Sequence, residues 1–488
     1  MSDRHLYTLV LAAGMGTRMR SALPKVLHEI GGEPMLIRVL RTVREVGGQR
    51  TIVVIGRGAD QVASEVKRRA PDAEQIEFTL QDPPRGTGDA ARCAIAMMPP
   101  NYDGDILIVY GDMPRISAAT LKSFIKNHRS AGAALSFITA HVETPSSYGR
   151  VIRETTGAVS AIVEARDASP AQLAVNEVNT GVYLADARVL ADALAALENS
   201  NAQGEYYLTD IVAIARRRGH AVIGWKADSA REFGGVNSRE ELALMENEIR
   251  IETNRRLMDA GVTFIDPATA YISEQAEFGP DCVIGPNVQV LGRCSFGAGV
   301  RIEGTAWLRE VTVGDGSHLK LGVRAEECRI GDHCDIGPFA NLRPGTELEG
   351  HNRIGNFVET KKARLGRGSK ASHLSYLGDA QIGRDTNIGC GVITVNYDGF
   401  DKHPTRIGDR CMVGCDSQLI APVTVGDDAY VASGTTVIRD VPAGALVMSH
   451  HPQAARTGWT ANWRNRHKKE SDDGHNGSDG GTHGDHKA

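Results

Sequence analysis

Between residues 278 and 447 an aliphatic residue followed by glycine returns every six positions. It is plainest at Ile284-Gly285, Ile330-Gly331, Ile336-Gly337, Ile382-Gly383, Ile388-Gly389, Ile407-Gly408, Val413-Gly414 and Val425-Gly426. A period of six fits neither a helix nor an ordinary strand. It predicts a parallel β-helix, in which each hexapeptide supplies a short strand and a turn, three hexapeptides close a triangular coil, and the aliphatic positions stack inside. The frame slips near residues 308–313, 360–365, 377–382 and 394–407, where loops are expected to leave the stack. A stack with three bare faces is expected to pack against copies of itself, and a homotrimer buries one face per subunit.

The first half has a different pattern. Residues 6–13 are a continuous apolar run, as in a buried parallel strand, and 51–56, 75–80, 105–110 and 133–140 read as further strands. Helix-length segments such as 38–46 and 60–70 lie between them, so the pattern predicts an α/β fold with a doubly wound, mostly parallel sheet. Ligands bind such sheets at the carboxyl ends of the strands, where residues 14–25, 81–89 and Gly111-Asp112 fall. In LAAGMGTRMRSALPKVL, Gly14 and Gly16 open the backbone, Arg18 and Lys25 add cations and Pro24 fixes the bend between them. This presents amide N–H groups and charge to phosphate, although a Gly-x-Gly loop alone is also an ordinary tight turn. Asp112, at the tip of a buried strand, reads either as an oxygen ligand for magnesium on nucleotide phosphates or as a helix cap ahead of Pro114. Gln81 and the Gly86-Thr87-Gly88 turn offer amide groups to a base edge.

Residues 238–260, with Ser238 as N-cap and Gly261 as stop, read as a helix joining the two halves, or as a short coiled-coil seam. After Trp463 the chain turns to Lys, Asp, Gly, Ser and His, which predicts a disordered tail.

Length and charge narrow the classes. The 488 residues suffice for more than one core, and 55 basic against 60 acidic residues advertise no nucleic-acid or membrane surface. No basic-then-apolar leader and no spanning run of ~18 apolar residues is seen, so a cytoplasmic protein with reduced thiols is expected. Of the eight cysteines, Cys282, Cys294, Cys328, Cys334 and Cys411 occupy a slot held by Val300, Ser317 and Ala429 in other coils. They read as small buried groups, not zinc ligands, and there is no Cys-x-x-Cys pair.

Through LAAGMGTRM, LPKVL, GTGDA, YGDMP, YGR, VEARD, NTG, GEYYLTD and GVNSR, residues 1–237 resemble the sugar-1-phosphate nucleotidyltransferases. With the hexapeptide half attached, nearly the whole chain resembles the bacterial bifunctional N-acetylglucosamine-1-phosphate uridyltransferases/glucosamine-1-phosphate acetyltransferases. The resemblance implies a uridyltransferase domain (1–237), a linker helix (238–261), a left-handed β-helix acetyltransferase domain (262–463) and a tail (464–488). It implies acetyl transfer from acetyl-CoA to glucosamine-1-phosphate, then uridyl transfer from UTP to the product with release of pyrophosphate. An alternative is a single-activity nucleotidyltransferase with a structural or regulatory β-helix.

For the first reaction site the resemblance implies Arg18 and Lys25 as catalytic cations, and Leu11, Ala12, Gly14, Gln81, Gly86 and Thr87 around UTP. Tyr110, Gly149, Glu164 and Asn179 would hold the sugar, and Asp112 and Asn237 one or two magnesium ions. For the second it implies His373 as general base, supported by Glu359 and Asn396-Tyr397, with Arg343, Lys361, Tyr376 and Asn387 on the amino-sugar phosphate. Cys390, Asn396, Tyr397, Cys415, Ser433 and His450 would line acetyl-CoA, and Lys402 would reach a neighbouring subunit's site. The chain departs from the common pattern at Met15, where many relatives carry Lys, and at Cys390, Cys415, Ser433 and His450.

Overall fold

A computed structural model describes residues 4–14, 16–70, 73–145, 147–449 and 453–473, with backbone alone for 467–473. The strand Leu6–Leu11 is buried throughout and pairs in parallel with Arg50–Ile55 on one side and Asp105–Tyr110 on the other. Successive side chains of a strand face opposite ways. Here both directions are covered: Leu9, Val54 and Ile108 enter one core, Val10, Val53 and Val109 the other, which is why the run is continuously apolar. Ile76–Leu80 extends the sheet past Arg50–Ile55. On the far side Glu177–Asp186 enters antiparallel between Asp105–Tyr110 and Leu135–His141, so the sheet is mixed.

The helix Arg239–Asp259 follows, its first turn capped by Ser238 Oγ, which accepts from the Glu241 amide at 3.1 Å. It is tied to the first half by Arg115, which donates to Glu252 at 2.6 Å and also meets Glu248. Glu274, beyond the helix, pairs with the buried Arg38 of the first half.

The remaining strands form the β-helix. One face is an eleven-stranded sheet and the other two faces are carried by a seventeen-stranded one, all paired in parallel from coil to coil. Ile284, Ile302, Leu319, Ile336, Ile354, Ala371, Ile388, Val413 and Val431 are register partners in sequence, each at most 2% exposed: one inward ladder. Cys282, Cys294, Cys328, Cys334 and Cys411 are buried free thiols, and no group of three or more His, Cys, Asp or Glu among the described residues fits a metal ion.

Only one of the four frame slips carries a loop. Residues 307–313 form one strand with Glu310 at φ 52°, and the slips at 360–365 and 377–382 are corners with Lys362 at φ 45° and Asp379 at φ 47°. A residue in the left-handed conformation turns the chain sharply, so these corners need one residue fewer and no loop. At 394–407 the stack is lengthened: the Cys411 amide reaches back 25 residues to Thr386 Oγ1, where the Thr386 amide reaches back 17 to Ser369 Oγ. The extra residues form a loop closed by the Tyr397–Lys402 bridge. Within it Asp398 accepts from the Asp401 and Phe400 amides at 2.7 and 2.8 Å and pairs with His403 at 2.7 Å. These bonds, the Asp401 amide first, hold the Asp398 carboxyl well below the usual range.

The tail also departs from expectation. A helix, Trp459–Asp473, runs into the stretch read as disordered from 464. Trp459 and Trp463 stack one turn apart at 6.2 Å, and the straight-chain Arg, Lys and Glu that follow are good helix formers without a core to bury. Met15, His450 and residues 474–488 lie outside the described residues. Among those described, no helix is long and apolar enough to cross a membrane.

Gly355 shows how tightly coils approach: a Cβ there would lie 1.8 Å from the Ser372 carbonyl oxygen of the next coil. Because the obstacle is backbone, Gly355→Ala must force the coils apart, and a loss of about 1–3 kcal/mol is expected. Thermal unfolding checks it; an unchanged melting temperature contradicts the close-stacked register.

Candidate active sites

The first site is a cavity of about 520 Å³ at the carboxyl ends of the central strands. It is lined by Leu11, Ala12, Gly14, Arg18, Lys25, Gln81, Gly86, Thr87, Tyr110, Asp112 and Asn237, together with Gly16, Pro84 and Glu205. Leu11 ends one strand, Tyr110 its neighbour, and Asn237 stands just before the linker helix, so three distant segments meet there. Gly16 sits at φ 56°, and a Cβ on it would lie 2.7 Å from Lys25 Cβ; only glycine lets the loop fold over the lysine stem. The Lys25 ammonium pairs with the Asp112 carboxylate and donates to Asn237 Oδ1 at 3.0 Å. Two oxygens from segments far apart in sequence therefore converge on one cation. The Asn237 amide donates to Glu241 Oε2 at 2.6 Å, anchoring that residue to the helix start. Gln81 is buried, and its side-chain amide donates to the Gly86 carbonyl and to Asp89, both at 2.9 Å, leaving its oxygen uncommitted by these bonds.

Gly149, Glu164 and Asn179 do not line this cavity. They cluster behind it: the Asn179 amide donates to the Gly149 carbonyl at 2.9 Å, and a Cβ on Gly149 would stand 3.6 Å from the Glu164 carboxyl carbon. Tyr110 connects the groups, with Thr87 hydrogen-bonded to its hydroxyl and Glu164 close enough to raise its pKa further beyond the effect of burial. A second cavity of about 400 Å³ shares Tyr110, Asp112 and Asn237 with the first and adds Tyr148 and Thr180. Burial, reinforced by Asp210, Asp167 and Glu205, pushes the Glu164 carboxyl up, although Thr209 donates to it at 3.1 Å.

The second site is an open corner of the β-helix where two columns meet. On one face Asn341, Glu359, Tyr376 and Ile393 are register partners, with Arg343 donating to Glu359 at 2.8 Å. Lys361, on the Glu359 strand, faces Lys402 and Arg343, and these cations, Lys402 first, hold its pKa below the usual value. On the adjacent face Asn356 and His373 are register partners, and His373 Nδ1 lies 2.9 Å from Asn356 Oδ1. Asn387 lies on the next coil, paired with Lys370. Cys390, Cys415 and Ser433 continue along the same edge, the Asp416 amide donating to the Cys390 carbonyl at 2.7 Å and the Gly434 amide to the Cys415 carbonyl at 2.8 Å. Asn396 donates to Asp379 at 2.5 Å, while Tyr397 is exposed in the loop with its hydroxyl donating to the Gly399 carbonyl.

Residues 8–218 match the MobA-like NTP transferase domain, 267–339 the GMPPB C-terminal domain and 404–439 the bacterial transferase hexapeptide family. A chain from Pelobacter propionicus, called bifunctional protein GlmU, is 46% identical over 451 residues, covering 92% of this chain and 97% of its own. The protein of that name from Shouchella clausii is 44% identical over 93% of this chain and 98% of its own. The chain belongs to the GlmU family. It is therefore an enzyme with two transferase activities, a uridyltransferase in its nucleotidyltransferase half and an acetyltransferase in its hexapeptide half. As a GlmU-family enzyme it acts on small molecules, and its hexapeptide repeats are consistent with an oligomer. Among solved structures, a UDP-glucose pyrophosphorylase complexed with UDP-glucose gives a TM-score of 0.43 at 17% identity, over 51% of this chain and 99% of that one.

In this GlmU-family chain Glu359, implied among the supports around His373, pairs with Arg343, and the hydrogen-bond partner of His373 is Asn356. Lys402 sits against Lys361 of its own chain. Asn356 escaped sequence reasoning because it stands in the repeat as one polar residue among many; only its place 17 residues before His373, one coil away, marks it.

Glu164 gives a pH prediction. A raised carboxyl pKa in the folded state means that the folded chain holds the proton more tightly, so stability is full at low pH and is lost as pH rises through the folded value. Glu164→Gln removes that loss while keeping an acceptor for Thr209. Its melting temperature is expected above that of the unsubstituted chain at neutral pH, with the gap closing below the carboxylate range. A constant gap across pH contradicts this.

Proposed function

We propose that residues 1–237 carry uridyl transfer from UTP to N-acetylglucosamine-1-phosphate and residues 262–463 carry acetyl transfer from acetyl-CoA to glucosamine-1-phosphate. The observation that carries the reading is the convergence of Asp112 and Asn237 on Lys25 beside a glycine loop, in a cavity that gathers the residues implied for the nucleotide. A carboxylate and an amide oxygen fit magnesium, which takes one or two protein oxygens and fills its remaining positions with water and phosphate. When bound there, the ion neutralises phosphate charge. The chain's own task is positioning and charge: Arg18 and Lys25 face the phosphates, Gln81, Gly86 and Thr87 the base, and Tyr110 with Glu164 and Asn179 the sugar. The sugar phosphate oxygen then attacks the α-phosphorus and pyrophosphate departs.

At the β-helix corner, Arg343, Lys361 and Lys402 form a concentrated positive patch suited to a phosphate dianion. Asn356 Oδ1, accepting from His373 Nδ1–H, leaves Nε2 as the free base that takes a proton from the sugar amine as its nitrogen attacks the thioester. Between the two columns stands an exposed apolar ridge of Phe339, Phe357 and Leu374, all at positive φ, with the two phenyl rings stacked at 5.8 Å. Large apolar side chains held there without cover from their own chain support a homotrimer in which a neighbouring copy closes the corner.

His373→Ala is expected to abolish release of the CoA thiol and leave pyrophosphate release intact, and Asp112→Ala to do the reverse. Coupled assays of both products on each variant check this; loss of both activities from either substitution contradicts two separate sites.

A further inference from the structure

Two thiols stand apart from the rest. Cys390 and Cys415 are exposed, whereas Cys282, Cys294, Cys328, Cys334 and Cys411 are buried. Burial also pushes those five up, Cys294 and Cys334 to about 11 and Cys328 to about 12, so they are poor nucleophiles. The exposed pair holds one position on successive coils. Asn387 and Ile388 are register partners of Met412 and Val413, and the same register carried two residues past these strands, into the turns, sets Cys390 beside Cys415. The coils are in contact there: the Gly389 amide donates to the Val413 carbonyl at 2.8 Å, the Asp416 amide to the Cys390 carbonyl at 2.7 Å, and a Cβ on Gly389 would meet the Cys415 nitrogen at 2.7 Å. Neighbouring strands lie about 4.8 Å apart. That falls within the roughly 4.4–6.8 Å between Cα atoms that a disulfide spans.

We propose that Cys390 and Cys415 form a redox-modifiable dithiol that exchanges with small-molecule disulfides. One thiolate attacks a sulfur of the small disulfide, forming a mixed disulfide and expelling a thiolate that takes up a proton. The second cysteine, giving up its proton, attacks the protein sulfur of that mixed disulfide, closing the Sγ–Sγ bond and releasing the second small thiol. Two protein thiols are oxidised and one small disulfide is reduced to two thiols.

The place of the pair gives the modification its consequence. The Gly391 amide donates to the Leu374 carbonyl at 2.8 Å, so Cys390 lies one coil beyond His373 on the same edge. This consequence rests on the proposed reading of that edge as the seat of acetyl-CoA. Linking the two sulfurs reshapes the surface along which the acyl carrier lies. Acetyl transfer is then blocked, while the nucleotide cavity in the other half is untouched.

The test uses the reduced full-length protein incubated with increasing oxidised glutathione, with and without acetyl-CoA. Alkylation and peptide mapping by mass spectrometry are run beside assays of both activities. The proposal expects a Cys390–Cys415 linked peptide, slower to form with acetyl-CoA present. Acetyl transfer should fall to background and be restored by dithiothreitol, with pyrophosphate release unchanged. The double variant Cys390→Ser/Cys415→Ser, compared with its own reduced rate, should lose this reversible inhibition, and Cys415→Ser should stop at a glutathione adduct on Cys390. Finding only mixed disulfides in the unsubstituted protein, or the same reversible inhibition in the double variant, overturns the dithiol. A linked peptide with acetyl transfer undiminished leaves the dithiol standing and overturns the acyl-carrier reading of this edge.

Discussion

The backbone register between coils is the constraint on which the second half of this enzyme depends. Most of its strands are only two to four residues long, too short to persist alone, and are held because their amides and carbonyls are satisfied by the coils above and below. The inward ladder from Ile284 to Val431 supplies the apolar interior, and the approach of Gly355 to the Ser372 carbonyl leaves almost no slack. With the register fixed, side chains at equivalent positions form straight columns. Asn356 and His373 meet because they are one coil apart, as do Glu359 and Tyr376. The site proposed for acetyl transfer is thus a rigid edge with one inserted loop.

The first half solves the positioning problem through the ends of a buried sheet. Strands covered on both faces leave only their carboxyl ends for polar work, and the loops leaving Leu6–Leu11 and Asp105–Tyr110 deliver the glycines, cations and Asp112 to one place. Asn237 arrives from far along the chain, fixed by Glu241 in the first turn of the linker helix. The element that joins the halves therefore also anchors a residue that lines the cavity at these strand ends. Both sites concentrate positive charge, Arg18 with Lys25 in one and Arg343, Lys361 and Lys402 in the other, as expected of a protein whose proposed substrates all carry phosphate.

What could be read from the sequence follows from the physics of each feature. The six-residue period was legible because every coil repeats the same burial, and the apolar run of 6–13 because both its faces are covered. The corners at Glu310, Lys362 and Asp379 were not, since a missing residue looks the same in sequence whether the chain bulges or turns through positive φ. That the glycine loop and its cations line a cavity at the strand ends was legible through Gly14, Gly16, Arg18 and Lys25. The placement of Gly149, Glu164 and Asn179 behind Tyr110 was not, because it depends on how an antiparallel strand inserts into the sheet. Asn356 and the Lys361–Lys402 proximity depend on coil stacking and a loop conformation, neither of which leaves a local signature.

The most direct measurement is a paired assay on the purified, unsubstituted chain. It follows CoA thiol from glucosamine-1-phosphate with acetyl-CoA, and pyrophosphate from N-acetylglucosamine-1-phosphate with UTP and magnesium. The account predicts both products, with Cys390, Cys415 and Ser433 accommodated along the acyl edge. Pyrophosphate without thiol release would contradict it, leaving the β-helix as a scaffold for a single nucleotidyltransferase.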